Sequence, residues 1–140
     1  MTTDRAFLKT AILGLLAAIG EEHSLGHQDS KAGRYTVVSR QGVPIEIMFE
    51  KNEEAPPNIW CLERAAGSAL IAAQNPRRSP ASDLRAKRGK NGEALYGRHS
   101  ALDKMPQLGD ADLVCFTPKT LGEFGQIIDR LQSVTVSEIS

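Results

Sequence analysis

The spacing of apolar residues changes between the first 20 residues and residues 34–50, and this change constrains the fold more than any other feature. In residues 34–50, apolar and polar residues alternate on both sides of a Gln41-Gly42 turn, as they do in a β-hairpin. In the first region they recur at intervals of three and four, which predicts a core helix from about Asp4 to Gly20. The residues expected on its inward side are Phe7, Leu8, Ala11, Ile12, Leu15, Leu16 and Ile19.

The second strand of this hairpin has two sets of alternating side chains, and the pattern predicts where each set faces. The apolar set, which we expect in the core, is Ile45, Ile47 and Phe49. The alternate set, which we expect to face solvent or a cleft, is Glu46, Met48 and Glu50.

The middle of the chain continues with a third strand over residues 58–63, which contains the single tryptophan, Trp60. An alanine-rich helix follows over residues 64–74, and Asn75-Pro76 ends it because proline disfavours helical backbone in the residue before it.

The end of the chain predicts a short helix, a buried strand and a final helix. Residues 100–103 have the form of a capping box, with Asp103 in place of Glu or Gln. Residues 111–116 are apolar and of strand length, which is typical of a central strand. Thr117-Pro118 then predicts a helix start, because proline is favoured at the first helical position.

The predicted order is helix, three strands, helix, long basic loop, short helix, strand and helix. This order indicates an α+β fold with a single layer of sheet packed by helices, in which the first three strands are antiparallel. A chain of 140 residues can bury one core, so we predict a single domain over residues 1–133 and a frayed tail over residues 134–140.

Composition is typical of a globular intracellular protein, with 41% apolar and 24% charged residues. Cys61 and Cys115 lie in apolar strands, so we expect reduced, buried thiols rather than a disulfide. The apolar run over residues 11–19 is shorter than the roughly 20 residues that span a bilayer. We therefore predict a cytoplasmic protein with no membrane partner.

Residues 75–99 form a long basic loop without apolar periodicity. This segment holds seven of the 17 Lys and Arg residues against Asp83 and Glu93, an excess of five positive charges in a neutral chain. Such a concentration of charge attracts phosphates or an acidic protein surface, and a solvated loop without a ligand is the alternative.

The end of this loop, residues 96–100, lies just before a predicted helix start, where unpaired N–H groups attract anions. It contains the ring of Tyr96, the glycine Gly97 and two side chains that can donate hydrogen bonds, Arg98 and His99. The sequence therefore predicts nucleic-acid or anion binding by Arg77, Arg78, Arg85, Lys87, Arg88, Lys90, Tyr96, Arg98 and His99.

The element order resembles that of restriction-nuclease-like folds, which use carboxylates and a lysine from an E-x-K or D-x-K tripeptide to hold Mg²⁺ and position water. This sequence has no E-x-K, and its only D-x-K is Asp29-Ser30-Lys31, in a loop. The resemblance implies a metal-dependent nuclease as an alternative, provided that Glu22, Glu46, Glu50 and Glu63 gather around one metal.

Other chemistry lacks a motif. His23 and His27 have helical metal-ligand spacing, but Gly26 lies between them and no further ligand motif follows. No Gly-x-Ser-x-Gly or glycine-rich nucleotide motif occurs, so we expect no metal, no cofactor and no catalytic residue. The sequence thus favours a binding protein that contacts nucleic acid or a nucleic-acid-handling protein, with a stoichiometric regulator of a partner protein as a further alternative.

Overall fold

The computed structural model describes residues 4–139 and has the α+β architecture that the sequence predicts. Its helices are α1 (Arg5–Ile19), α2 (Glu63–Gln74), α3 (Leu121–Gln132) and α4 (Val136–Ile139). Its strands are β1 (Glu21–Glu22), β2 (Ala32–Val38), β3 (Pro44–Glu50), β4 (Ile59–Leu62), β5 (Arg77–Ser79) and β6 (Leu113–Phe116). No helix within residues 4–139 has the length and apolar character needed to cross a membrane.

The strands form one six-stranded sheet in the order β1-β2-β3-β4-β6-β5, and every pair is antiparallel. The predicted hairpin and third strand are its centre. The structure differs from the prediction at Arg77 and Arg78, which lie in edge strand β5 instead of a loop. They pair with β6 at Cys115 and Val114, because β6 would otherwise leave one side of its backbone without hydrogen-bond partners.

One face of the sheet packs against the helices. Register places Ile45, Ile47 and Phe49 on this face, all fully buried as predicted. Helices α1 and α3 contact β2 on this side, and Gly20 lies close to the side chain of Val37. The core therefore forms mainly between the sheet and three helices.

The opposite face is also buried, beneath residues 96–109, which we call the covering segment. Its buried apolar residues are Ala101, Leu102, Met105 and Leu108. On this face Met48 is fully buried and Glu46 is 8% exposed. The prediction that these two side chains face solvent is therefore wrong, whereas a cleft-like environment fits Glu46, because the covering segment closes over the strand.

Helix α1 buries a narrower side than its pattern predicts. Leu8, Ile12 and Leu16 are buried, but Phe7 is 65% exposed, Leu15 is 42% exposed and Ile19 is 38% exposed. The predicted inward position of these three exposed residues is wrong, because the sheet covers only one side of the helix. Asp4 caps α1, since its Oδ1 accepts a hydrogen bond from the backbone N–H of Ala6 at 3.0 Å.

Two helix starts differ from the prediction. Helix α3 begins after Thr120, whose hydroxyl accepts from the Glu123 N–H at 3.1 Å, and not at Thr117-Pro118. The short helix is a 3₁₀ turn, Ser100–Leu102, and its cap is His99 instead of Ser100. In both cases the residue with a side-chain acceptor in reach of the free N–H groups sets the boundary.

Arg130 links the last residues of the chain to a break in α2. Gly67 has a φ of 77° inside this helix, and Arg130 Nε donates to the carbonyl of Ala65 beside the break. Arg130 also pairs with Glu138 of α4 at 2.5 Å. The segment predicted as a frayed tail therefore contains a one-turn helix that is held by an ion pair.

Candidate functional site

Arg98 is the most heavily bonded of the predicted site residues. Its guanidinium donates to Ser79 Oγ at 2.9 Å, to the Ser79 carbonyl at 2.7 Å and to the Ala111 carbonyl at 2.6 Å. It also donates to the carbonyls of Leu108 and Gly109. Because every donor direction points at the protein itself, Arg98 fixes the covering segment and has little capacity left for a ligand.

Tyr96 and His99 are likewise used internally. The Tyr96 hydroxyl donates to the Gly109 carbonyl at 2.8 Å, and burial raises the pKa of this phenol. His99 Nδ1 accepts from the Ala101 N–H at 3.0 Å. At the predicted anion site, the backbone N–H of Ala101 therefore already has a hydrogen-bond partner. The ring of Tyr96 is partly buried.

Arg78 and Arg85 each have a carboxylate partner. Arg78 forms an ion pair with Glu63, and Arg85 NH1 lies 3.2 Å from Asp110 Oδ1. Arg85 also lies over the ring of Tyr96, 5.9 Å from its centroid. Because these ion pairs are at the surface, each arginine can still attract an anion. Part of its hydrogen-bonding capacity is used by the carboxylate.

Residues 87–95 form a small hairpin, which we call the basic hairpin. The Leu95 N–H donates to the Lys87 carbonyl at 3.0 Å, and the Gly89 N–H donates to the Glu93 carbonyl at 2.8 Å. Gly92 has a φ of +80° in the turn, a conformation that glycine adopts without strain. Regular structure in this part of the loop was not predicted, because its sequence has no apolar alternation.

The basic hairpin carries three exposed cations, Lys87, Arg88 and Lys90. None of them forms an ion pair within residues 4–139. The one acid of the hairpin, Glu93, uses Oε2 to accept from the Asn91 N–H at 3.0 Å. Lys87, Arg88 and Lys90 therefore form a group of three uncompensated cations on one short segment.

The base of the basic hairpin is tied to the core. Leu84 is buried, and its carbonyl accepts from the Gly97 N–H at 2.8 Å. A Cβ atom on Gly97 would lie 2.8 Å from that carbonyl oxygen, so only glycine allows this approach. The hairpin thus extends from a fixed base.

Arg77 belongs to a different feature. Its guanidinium lies over the ring of Trp60, 5.1 Å from the centroid, and it lines a polar pocket with Asn58 and Lys119. The latter two residues are far from Arg77 in sequence and carry no motif, so sequence reasoning did not connect them.

The four glutamates considered for a metal have four different partners. Glu22 pairs with His27, Glu46 with His23, Glu50 with Trp60 and Glu63 with Arg78. In the described part of the chain no three His, Cys, Asp or Glu side chains lie close enough to hold a metal. The Asp29-Ser30-Lys31 tripeptide forms a turn before β2.

The chain matches no protein-family model, no curated protein and no solved structure.

The buried titratable groups His23, Glu46, Cys61 and Cys115 contact other parts of the protein and do not face solvent. His23 Nδ1 accepts from the Leu25 N–H at 3.1 Å, so Nε2 carries the hydrogen and donates to Glu46 at 2.6 Å. Cys61 and Cys115 are free and buried as predicted, and burial raises the pKa of each thiol to about 12. Thiols of this kind stay protonated and are weak nucleophiles.

Proposed function

We propose that this protein binds nucleic acid through the basic hairpin and has no chemistry of its own. The observation that carries the proposal is the group of three exposed cations, Lys87, Arg88 and Lys90, without ion-pair partners in the described residues, on a hairpin with a fixed base. Ordered backbone beneath these side chains limits the entropy that binding must remove.

Phosphate contacts are the natural use of such a surface. Lys and Arg that neutralise phosphates release condensed counterions, and this release drives binding at low salt. Three contacts predict a slope of roughly −2 to −3 in a plot of log K against log salt concentration. The hairpin offers only a few side chains that could reach base edges, such as Arg88 and Asn91, so we expect binding with little sequence preference.

The environments of the cysteines and of the four glutamates support the proposal that this protein catalyses no reaction. The two thiols are buried and protonated, and each of the four glutamates is engaged by a different partner. The one carboxylate of the hairpin, Glu93, is bonded to the Asn91 N–H, so the role that we propose for the hairpin is to attract and hold a polyanion.

The test is fluorescence anisotropy of labelled single-stranded DNA, duplex DNA and RNA as the salt concentration is raised. The variant carries Lys87→Gln, Arg88→Gln and Lys90→Gln. The control removes the same charge elsewhere, from three exposed cations without ion pairs among residues 4–139, through Lys31→Gln, Arg64→Gln and Lys104→Gln.

We expect the hairpin variant to weaken binding about tenfold or more and to flatten the salt dependence, while the control changes affinity about twofold or less. Equal weakening by both variants would show that only net charge matters. Absence of binding at about 20 mM salt, or binding that salt does not change, would reject nucleic acid as the ligand. Capture of an acidic protein by the hairpin without nucleic-acid binding would favour the regulator.

A further inference from the structure

A second cationic feature lies where the end of α2 meets β5 and the residues after β6. It is a pocket of about 380 Å³ whose polar lining residues are Asn58, Gln74, Asn75, Arg77, Thr117 and Lys119. Among residues 4–139, no carboxylate lines it. Its volume lies within the roughly 300–1,000 Å³ of small-ligand sites.

Its two cations, Arg77 and Lys119, form no ion pair within residues 4–139. The carboxylates nearby are engaged by other donors. Glu123 Oε1 accepts from the backbone N–H of Lys119 at 2.7 Å, and Glu50 Oε2 accepts from the Trp60 indole N–H at 2.7 Å. Neither carboxylate forms an ion pair with Arg77 or Lys119, and both cations are exposed.

Amide groups add uncharged donors to the same pocket. The Thr117 hydroxyl donates to Asn58 Oδ1 at 2.7 Å. The NH₂ group of the Asn58 side chain therefore remains available as a donor. Asn75, at the end of α2, has a φ of 48°, so the chain turns there and continues directly into β5. Charged and neutral donors thus surround one space.

Two features of the pocket bear on its net charge. Helix α2 ends there, and the carbonyls at a helix end are equivalent to about −0.5 charge. Two full cations outweigh this partial charge. The Cys115 thiol beside them is protonated at neutral pH and adds no negative charge, because burial raises its pKa.

We propose that this pocket binds a phosphate monoester, supplied either by a free mononucleotide or by the terminal phosphate of a nucleic acid. Arg77 and Lys119 provide the charge, and the amide of Asn58 provides a neutral donor. No residue of the basic hairpin lines the pocket, so the proposal does not depend on the hairpin.

Trp60 is a built-in reporter of this site. It is the single tryptophan of the chain, and Arg77 lies over its ring at 5.1 Å. A phosphate that draws Arg77 away from the ring changes the surroundings of the indole. We therefore expect a saturable change in tryptophan fluorescence when inorganic phosphate or AMP is added.

The experiment compares variants by calorimetry, because substitution of Arg77 alters the fluorescence signal itself. We expect Arg77→Gln and Lys119→Gln each to weaken AMP binding about tenfold, the loss of one charge-assisted hydrogen bond. The matched control is Arg78→Gln, which changes the adjacent residue of the same strand on the opposite face and should leave AMP affinity unchanged. Folding of each variant is checked by its thermal unfolding midpoint.

The two sources of phosphate are separated by oligonucleotides with a 5′-phosphate or a 5′-hydroxyl. In the triple hairpin variant, tighter binding of the 5′-phosphate oligonucleotide than of the 5′-hydroxyl oligonucleotide identifies a nucleic-acid terminus. Equal binding of these two oligonucleotides, with AMP binding retained, identifies a free nucleotide. Lack of saturable binding up to about 10 mM AMP would overturn the proposal. So would an equal loss in Arg78→Gln, or a loss of AMP binding in the triple hairpin variant, which should affect only the proposed nucleic-acid function.

Discussion

Glu46 and Gln107 bind each other through two reciprocal hydrogen bonds although they lie 61 positions apart. The Glu46 N–H donates to Gln107 Oε1 at 2.8 Å, and the Gln107 N–H donates to Glu46 Oε1 at 2.8 Å. The same carboxylate oxygen also accepts from the Leu108 N–H at 3.0 Å. A single buried glutamate therefore attaches the covering segment to the middle of the sheet.

Glu46→Gln is expected to destabilise the protein by about 2 kcal/mol or more. The NH₂ group of the new amide must point either at the His23 N–H or at the two backbone N–H groups, and in each arrangement a donor faces a donor. Urea unfolding measures the loss. The control is Glu54→Gln, because Glu54 is exposed, and it should change stability by less than about 0.5 kcal/mol. Equal stability of the two variants would mean that the carboxylate does not hold the covering segment.

Arg98→Lys should cost about as much as Arg98→Met, roughly 3 kcal/mol, although lysine keeps the charge. Arg98 bonds through its two terminal nitrogens to four carbonyls, and a single ammonium cannot reach all of them. Thermal unfolding and hydrogen exchange of the covering segment measure the effect, with Arg88→Lys as the exposed control. Full stability of Arg98→Lys would show that charge, and not the fork of donors, is required.

Two glycine substitutions should have opposite effects. Gly97→Ala places a Cβ atom 2.8 Å from the Leu84 carbonyl oxygen, so the base of the basic hairpin must shift, and we expect a loss of about 1–3 kcal/mol. Gly125 lies on the exposed side of α3, where an added Cβ atom would meet no other part of the protein within 4 Å, so Gly125→Ala should stabilise the helix by up to about 1 kcal/mol. Chemical denaturation compares both with the parent chain, and a gain from Gly97→Ala would contradict the close approach.

The buried thiols should make stability fall at alkaline pH. Unfolded cysteines lose their protons near pH 8.5, whereas burial raises the pKa of both native thiols to about 12. The unfolded state therefore binds fewer protons between these values, and the free energy of unfolding decreases as pH rises, by up to about 1.4 kcal/mol per thiol per pH unit. A variant with Cys61→Ala and Cys115→Ala should show a shallower decrease in urea unfolding between about pH 8 and 10.5. Tyr and Lys residues titrate in both proteins, so an unchanged slope would contradict the prediction.

The elements with local signals were predictable from the sequence. The hairpin of β2 and β3, strand β4 and buried strand β6 follow from apolar spacing and turn residues, and the caps at Asp4 and Asn75 follow from local chemistry. These features depend on residues a few positions apart, which a sequence pattern records directly.

The rest depends on contacts between distant residues. Met48 and Glu46 are buried because the covering segment, about 60 positions later, closes over them, and no local pattern encodes that contact. The role of Arg98 likewise depends on carbonyls that converge only in the folded chain. Charge density identified the basic segment, but it could not distinguish the bonded Arg98 from the exposed Lys87.

The two edges of the sheet carry opposite charges, since β1 consists of two glutamates and β5 begins with two arginines. Identical edges repel, which disfavours a closed, two-fold dimer built by strand pairing. Charge favours the glutamate edge of one copy against the arginine edge of the next, an arrangement that has no closing step and grows into a filament. Edge strands of two and three residues offer too little backbone for this growth. Lengthening either edge would therefore turn a charge pattern that is harmless at this length into a route to polymerisation.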